Sequence, residues 1–178
     1  MLTYELLPDH EGMHLEGDYW DLSALRDLVH DVNTRSPLVE DRESDGFLFL
    51  AHEARKAYSG HREQRTGADG GERFGFDVTW PLVLVPARLM RVSLAYIDHG
   101  KRDQSVMYGF EAIIEEALRE DFGNDAAVLI EEWARLGEDA AQIITELPDR
   151  SDRYLAWSPA QRAEHLVDAL APTWITAP

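Results

Sequence analysis

Apolar and polar residues alternate in three short stretches of the chain, which is the pattern of half-buried strands. The first two stretches cover residues 4–7 and 13–16, and the polar segment between them, residues 8–12, predicts a hairpin turn. The third covers residues 74–80, where large apolar side chains occupy every second position. These strands predict a small antiparallel sheet made of the N-terminal hairpin and one later strand.

Apolar residues recur every three or four positions through most of the remaining chain, which predicts helices. Asp18 or Asp21 begins the first helix, because either carboxylate accepts hydrogen bonds from the free N–H groups of a first helical turn. A second helix is predicted over residues 46–59, with Gly60 as its left-handed cap. The last helix begins at Ser158, which is followed by proline.

Two polar stretches interrupt this pattern and predict loops. Residues 61–72 contain three glycines and form the predicted mobile loop, and residues 148–157 are predicted to form another loop. No repeat or long linker divides the sequence, so one domain over residues 1–178 is expected. The predicted fold is α+β and mainly α, with about six helices covering the small sheet. Its core is expected to contain Phe76, Trp80, Phe110, Ile114, Ile130 and Trp133.

The chain is strongly acidic, and this excludes several classes of partner. Its 178 residues include 34 Asp and Glu against 17 Lys and Arg, a formal net charge of −17. Such a surface repels nucleic-acid phosphates and anionic membranes, so neither is an expected partner. No cysteine is present, which excludes disulfides and thiolate metal sites. Because no apolar run is long enough to span a bilayer and the first residues do not resemble a signal peptide, a cytoplasmic protein is expected.

The sequence H-E-G-M-H at residues 10–14 matches the H-E-x-x-H pattern of zinc metalloproteases. That chemistry needs both histidines one turn apart on a rigid helix, with the glutamate as general base over a zinc-bound water. Here the match follows Pro8 and contains Gly12, which favours a turn. We therefore predict that His10 and His14 do not form a zinc site, and no metal or other cofactor is expected.

Arg55, Arg62 and Glu63 surround the glycine that ends the second predicted helix. One interpretation is a structural cluster of ion pairs, since most ion pairs near a surface are structural or nearly neutral. The other is a recognition site for a carboxylate or phosphate group, because an arginine guanidinium is a bidentate fork for anions. Two neighbouring arginines are conspicuous in so acidic a chain.

Two motifs carry a resemblance to a known family. Gly-Asp-Tyr-Trp-Asp-Leu occupies residues 17–22, and Arg-Lys-Ala-Tyr-Ser-Gly-His-Arg-Glu occupies residues 55–63. Their order and separation resemble those in a family of small bacterial proteins known only as a domain of unknown function, and Trp80-Pro81 is similar to the start of a helix in that family. The resemblance covers residues 1–100 and implies a fold unit without an activity. The motifs supply the candidate binding residues, which are Asp18, Tyr19, Arg55, Tyr58, Arg62 and Glu63.

No complete catalytic set is present, so no catalytic residue is predicted and the leading hypothesis is a non-catalytic protein-binding or assembly module. In its concrete form this module is an acidic regulator or neutralising partner of a basic protein. The acidic stretch of residues 111–139 is either the surface for that partner or a set of solvated helix faces. The alternative function is a metal- or carboxylate-dependent enzyme that acts on a small molecule.

The aromatic content predicts self-association. The chain has five Trp, six Tyr and six Phe, and aromatic residues together with arginine are enriched at the centres of protein interfaces. Residues 171–175 end in Trp174 and Ile175, which we expect to dock on the chain's own body or on a second chain. We predict a two-fold homodimer, the commonest closed assembly, with a monomer whose tail folds back as the alternative.

Overall fold

Four antiparallel strands form one sheet in the computed structural model, which describes residues 1–40, 44–62, 64–67 and 70–172. The strands lie in the order β1-β2-β4-β3, so that β2 and β4 are central and β1 and β3 form the two edges. They are β1 (Thr3–Leu6), β2 (Gly12–Gly17), β3 (Gln64–Thr66) and β4 (Glu72–Thr79).

The register of the two central strands brings apolar residues together on one face of the sheet. Leu15 of β2 lies opposite Phe76 of β4, and both side chains are buried. The neighbouring pair, His14 and Asp77, lies on the other face because successive side chains alternate across a strand. The alternation in the sequence therefore predicted which face of the sheet meets the helices.

Helices make up most of the rest of the described chain. They are α1 (Tyr19–Arg35), α2 (Asp45–Lys56), α3 (Trp80–Ser93), α4 (Lys101–Phe122), α5 (Ala126–Arg135), α6 (Ala140–Ile143), α7 (Leu147–Ala156) and α8 (Pro159–Leu170). Helix α2 continues into a π-helical turn, Ala57–His61, in which Gly60 is left-handed with a φ of 79°. The α+β, mainly α fold that the pattern predicted is confirmed. Among the described residues, no helix combines the length and the apolar character needed to cross a membrane.

Side-chain caps begin two helices at the positions that the sequence predicted. The carboxylate of Asp18 accepts a 2.8 Å hydrogen bond from the backbone N–H of Asp21, whose own carboxylate accepts one from the N–H of Asp18. These bonds satisfy donors that a first helical turn leaves free, and the bond from Asp21 lowers the pKa of Asp18. Ser158 and Gln161 form the same reciprocal arrangement at the start of α8.

Helix α3 lies within the hydrophobic core, and residues 80–87 at its beginning are all buried. The predicted core is confirmed, since all but one of the six predicted residues are buried and Ile130 is half-buried against the same cluster. The indole N–H of Trp133 donates a 2.7 Å hydrogen bond to the backbone oxygen of Leu84 in α3. Trp174 and Ile175, which were expected to dock, lie outside the described residues.

Two stretches that were predicted as loops contain regular structure, so those predictions were wrong. Strand β3 lies within residues 61–72 and pairs with β4, and helix α7 covers nearly all of residues 148–157. Helix α7 has a buried face that includes polar residues, so its sequence does not show the usual apolar pattern of a helix. Arg150 donates hydrogen bonds to backbone carbonyls at the end of α8, and Tyr154 donates one of 2.6 Å to the carbonyl of His10. Polar side chains can fill core positions when backbone groups satisfy them.

Candidate functional site

The two sequence motifs meet at an aromatic contact between α1 and the π-helical turn. The ring of Tyr19 lies edge-on to the ring of Tyr58 with their centroids 5.0 Å apart, and it also contacts Trp20, which is 72% exposed. Arg26 lies over the ring of Tyr58 at 5.7 Å and donates a hydrogen bond to its hydroxyl group. Asp18, the remaining predicted residue on this side, serves as the cap of α1.

A buried carboxylate organises the basic residues at the end of α2. Glu53 accepts a 2.7 Å hydrogen bond from Nζ of Lys56 and two more from Nε and Nη2 of Arg62, at 2.9 and 2.5 Å. Burial raises the pKa of Glu53, but these hydrogen bonds outweigh burial and hold it below its ordinary value. Glu53 is therefore ionised and holds both cations in place. Glu53 is not among the residues predicted from the sequence, although its position three residues before Lys56 on a helix favours an ion pair.

The basic side chains line a cleft of about 570 Å³ beside the last turn of α2, which we call the cationic cleft. Among the described residues here, three cations are accompanied by one carboxylate, that of Glu53, which gives a formal charge of +2 for these four groups in a chain of −17. Within the described part of the chain, Arg55 has no hydrogen-bond or ion-pair partner. Glu63, which was predicted to belong to this cluster, lies outside the described residues. The cleft is lined by His52, Arg55, Lys56, Ser59, His61 and Arg62.

The pKa of His30 on α1 lies below its ordinary value, with burial as the main cause and nearby positive charges as a further one. Burial lowers the pKa of His30, and the nearby charges of Arg26, His52 and Arg55 lower it further. Positive neighbours have this effect because they disfavour the protonated imidazole. The carboxylate of Asp27 opposes this effect in part. Positive charges from both α1 and α2 therefore act on His30, although the chain as a whole is acidic.

His10 and His14 do not share a site. The backbone at Asp9 and His10 is left-handed, with φ values of 58° and 59°, which a right-handed helix does not tolerate. Nδ1 of His10 donates a 2.9 Å hydrogen bond to Asp121, whereas Nδ1 of His14 donates a 2.7 Å bond to Asp77. The stretch is a hairpin, as predicted. Within the residues that the structure describes, no three His, Asp or Glu side chains are grouped so that they would hold a metal ion.

A second surface feature, which we call the α4 groove, lies between α1 and α4 and has a volume of about 480 Å³. Its walls include Trp20 from α1 and the small, exposed residues Ser105, Gly109 and Ala112 from α4. A Cβ atom built on Gly109 would have no described atom within 4 Å, so the centre of the groove is open. The sequence did not reveal this groove because its two walls are far apart along the chain.

Comparisons with known proteins identify a family for this chain but no individual relative. No match to a curated protein or to a solved structure was found for the chain. A family model matches residues 2–173, so the similarity extends from the N-terminal part that carries the two motifs to nearly the whole chain. That family is described as a domain of unknown function, DUF6904, and the chain belongs to it.

Proposed function

We propose that this chain is a non-catalytic protein-binding module that assembles as a two-fold homodimer through the outer face of α4. The observation that supports it most directly is a straight stripe of exposed residues along that helix, most of which line the α4 groove beside Trp20. Intervals of three and four residues place the stripe on one face of the helix. The stripe consists of Arg102, Ser105, Gly109, Ala112 and Glu116.

The stripe is complementary to itself when two copies run antiparallel. A two-fold axis at Gly109 brings residue 102 of one chain opposite residue 116 of the other, so that Arg102 faces Glu116 at both ends of the contact. On one helix these two charges are separated by about 21 Å along the axis. Both side chains are exposed, and neither forms an ion pair with another described residue. Because opposite charges meet at both ends, the antiparallel arrangement of the two helices is favoured over a parallel one.

The centre of the stripe allows the two helices to approach closely. Gly109 has no side chain, and Ser105 and Ala112 on either side of it are small. In the same register Ser105 of one chain lies opposite Ile113 of the other, which is half-buried in the free chain. The exposed ring of Trp20 stands at the wall of the groove, where a second chain would cover it. Buried aromatic side chains commonly contribute most of the binding energy of an interface.

The remaining surface supports a basic protein as the partner of this dimer. Glu131, Glu138 and Asp139 are exposed on α5 and the segment after it, and Arg135 supplies the only positive charge between residues 123 and 139. Acidic surfaces attract basic partners over long range. We therefore propose that the chain is an acidic regulator or neutralising partner of a basic protein. We place it in the cytoplasm, because a chain without cysteine forms no disulfides and does not depend on an oxidising compartment.

The alternative of a metal- or carboxylate-dependent enzyme stays a prediction. A metal assay on the purified protein distinguishes it from the binding module. One tightly held ion per chain would favour the enzyme, and a protein that binds no metal at stoichiometric amounts would favour the module.

Light scattering after size-exclusion chromatography tests the dimer at micromolar protein in about 0.15 M salt, where charges are screened beyond about 8 Å. We expect the wild type to have the mass of two chains. Arg102→Glu and Glu116→Arg should each give monomers, because each substitution places like charges opposite one another. The two substitutions together should restore the dimer, because the attraction is then re-formed with its signs exchanged.

Ala134→Arg is the matched control, because it adds a positive charge at an exposed position on α5 that is outside the stripe. This variant should remain dimeric. A wild type with the mass of one chain would overturn the proposal. A dimer that survives both single substitutions would assign the interface to another surface, and the antiparallel arrangement would then be wrong.

A further inference from the structure

Independently of self-association, we propose that the cationic cleft binds a small oxyanion that carries two or more negative charges. Phosphorylated molecules and polycarboxylates share this chemistry, which is a compact group of anionic oxygens. The cleft volume of about 570 Å³ is within the range of small-molecule sites. Its basic residues make it a positive site on a protein whose net charge is −17.

Donors for such a ligand remain free in the cleft. Arg55 has no partner among the described residues, so its guanidinium is available as a two-pronged donor. Lys56 has three ammonium hydrogens, of which the bond to Glu53 uses one. The side chains of Ser59 and His61 line the same cleft and are exposed. The site therefore offers several hydrogen-bond donors around one opening.

Glu53 prepares the site before a ligand arrives. It holds Lys56 through one carboxylate oxygen and Arg62 through the other, so both long side chains are ordered on the same buried group. Ordering these side chains in advance lowers the entropy cost of binding. Within the part of the chain that the structure describes, the single charge of Glu53 is smaller than the summed charge of Lys56, Arg62 and Arg55, so this group of side chains stays positive.

The π-helical turn sets the shape of the cleft. It widens the backbone after Lys56, and its left-handed Gly60 turns the chain so that His61 and Arg62 lie beside the last turn of α2. Turns of this kind occur often at functional sites. No described atom lies within 4 Å of a Cβ built on Gly60, so close packing is not the reason that this position is a glycine. The reason is its left-handed backbone, with a φ of 79°, which glycine adopts without strain.

A purely structural role would explain only part of this cluster. Basic residues in the last turn of a helix stabilise its negative end, and Arg55 and Lys56 occupy that position. His61 and Arg62 follow the helix, and His52 precedes its last turn, yet all three line the same cleft. The helix dipole therefore does not account for their convergence.

Nuclear magnetic resonance of the full chain tests the proposal with inorganic pyrophosphate and citrate as probes, and with acetate as a single-charge reference at equal ionic strength. Pyrophosphate, citrate or both should produce saturable, one-to-one shifts at His52, Arg55, Ser59 and His61, whereas acetate should not. A response to pyrophosphate alone would assign the site to phosphates, and a response to citrate alone would assign it to carboxylates. Arg55→Gln should weaken binding roughly tenfold, as expected for the loss of a charge-assisted hydrogen bond.

Two further variants keep this test decisive. Arg135→Gln removes the same charge from an exposed site on α5 and should change the dissociation constant by less than about twofold, because distant surface charges are screened by salt. Arg62→Gln should weaken binding as Arg55→Gln does, provided that its amide spectrum remains that of the folded protein. The absence of saturable shifts at millimolar probe would overturn the proposal. Equal weakening by Arg55→Gln and Arg135→Gln would also overturn it, since binding would then follow net charge.

Discussion

Tyr19 lies edge-on against Tyr58, with their ring centroids 5.0 Å apart and their planes inclined by 70°. The first residue belongs to the motif of residues 17–22 and the second to the motif of residues 55–63. The two motifs are therefore parts of one contact, which joins the start of α1 to the turn after α2. This contact lies between the α4 groove, where Trp20 is exposed, and the cationic cleft.

The contact predicts energetic coupling between the two tyrosines. In a double-mutant cycle of Tyr19→Ala and Tyr58→Ala, we expect a coupling energy of about 0.5–1.5 kcal/mol, the range for edge-to-face aromatic pairs. Urea unfolding of the four proteins measures it. Tyr58→Ala combined with Tyr108→Ala is the control cycle, since Tyr108 lies on α4 and stacks with Arg91. The two cycles should differ, and equal coupling in both would contradict the contact.

Glu53 should contribute to stability in a way that depends on pH. Glu53→Gln removes the charge that Lys56 and Arg62 share, and we expect a loss of about 1 kcal/mol near neutral pH, because both partners are partly exposed. Since the pKa of Glu53 lies below its ordinary value, this contribution is present above the unfolded-state pKa of about 4.3 and is lost as the pH falls through the folded-state value. Urea unfolding of both proteins from about pH 7 to about pH 3 measures the difference.

Glu115→Gln is the control for this experiment, because Glu115 pairs with Arg119 on the exposed side of α4. Its effect should stay within about 0.5 kcal/mol at every pH. A gap between wild type and Glu53→Gln that does not narrow in acid would show that the carboxylate is not stabilised by its cations.

Two helical glycines should respond in opposite directions to replacement by alanine. At Gly46 the new Cβ would lie 2.2 Å from the backbone oxygen of Ile144, so we expect Gly46→Ala to destabilise the protein by about 1–3 kcal/mol. At Gly109 no described atom of the same chain lies nearby, so in the monomeric Arg102→Glu background Gly109→Ala should stabilise the protein by about 0.5–1 kcal/mol because alanine loses less backbone entropy. Free energies of unfolding in urea measure both effects. The same sign for both variants would contradict the packing described for one of them.

The elements that follow local rules could be predicted from the sequence. The cap formed by Asp18 and Asp21 depends on residues three positions apart, and the alternation in β4 depends on neighbouring side chains. The residues whose interactions define these elements lie within a few positions of one another in the sequence. For the same reason the hairpin at residues 10–14 could be distinguished from a metalloprotease helix, since Gly12 and the preceding proline favour a turn.

Helix α7 shows where local rules failed. Its sequence contains proline, two aspartates and two arginines and is typical of a loop, yet Arg150 is 2% exposed. The carbonyls that this arginine binds belong to residues 169, 171 and 172, around the end of α8. Burial of a charged group is tolerated only with such partners, and their position depends on how α7 and α8 pack.

The sequence by itself determined the fold class, the helix caps and two of the basic residues that line the cationic cleft, Arg55 and Arg62. The folded structure decided that Arg62 reaches the buried carboxylate of Glu53, that the turn at Gly60 brings His61 beside His52, and that Trp20 lies beside Gly109. The physical reason is that caps and periodicity arise from contacts within one or two turns. The cationic cleft depends on the backbone geometry of the turn after α2, and the α4 groove depends on side chains that are far apart along the chain. A net charge averages over the whole surface, so it conceals a positive cleft on an acidic protein.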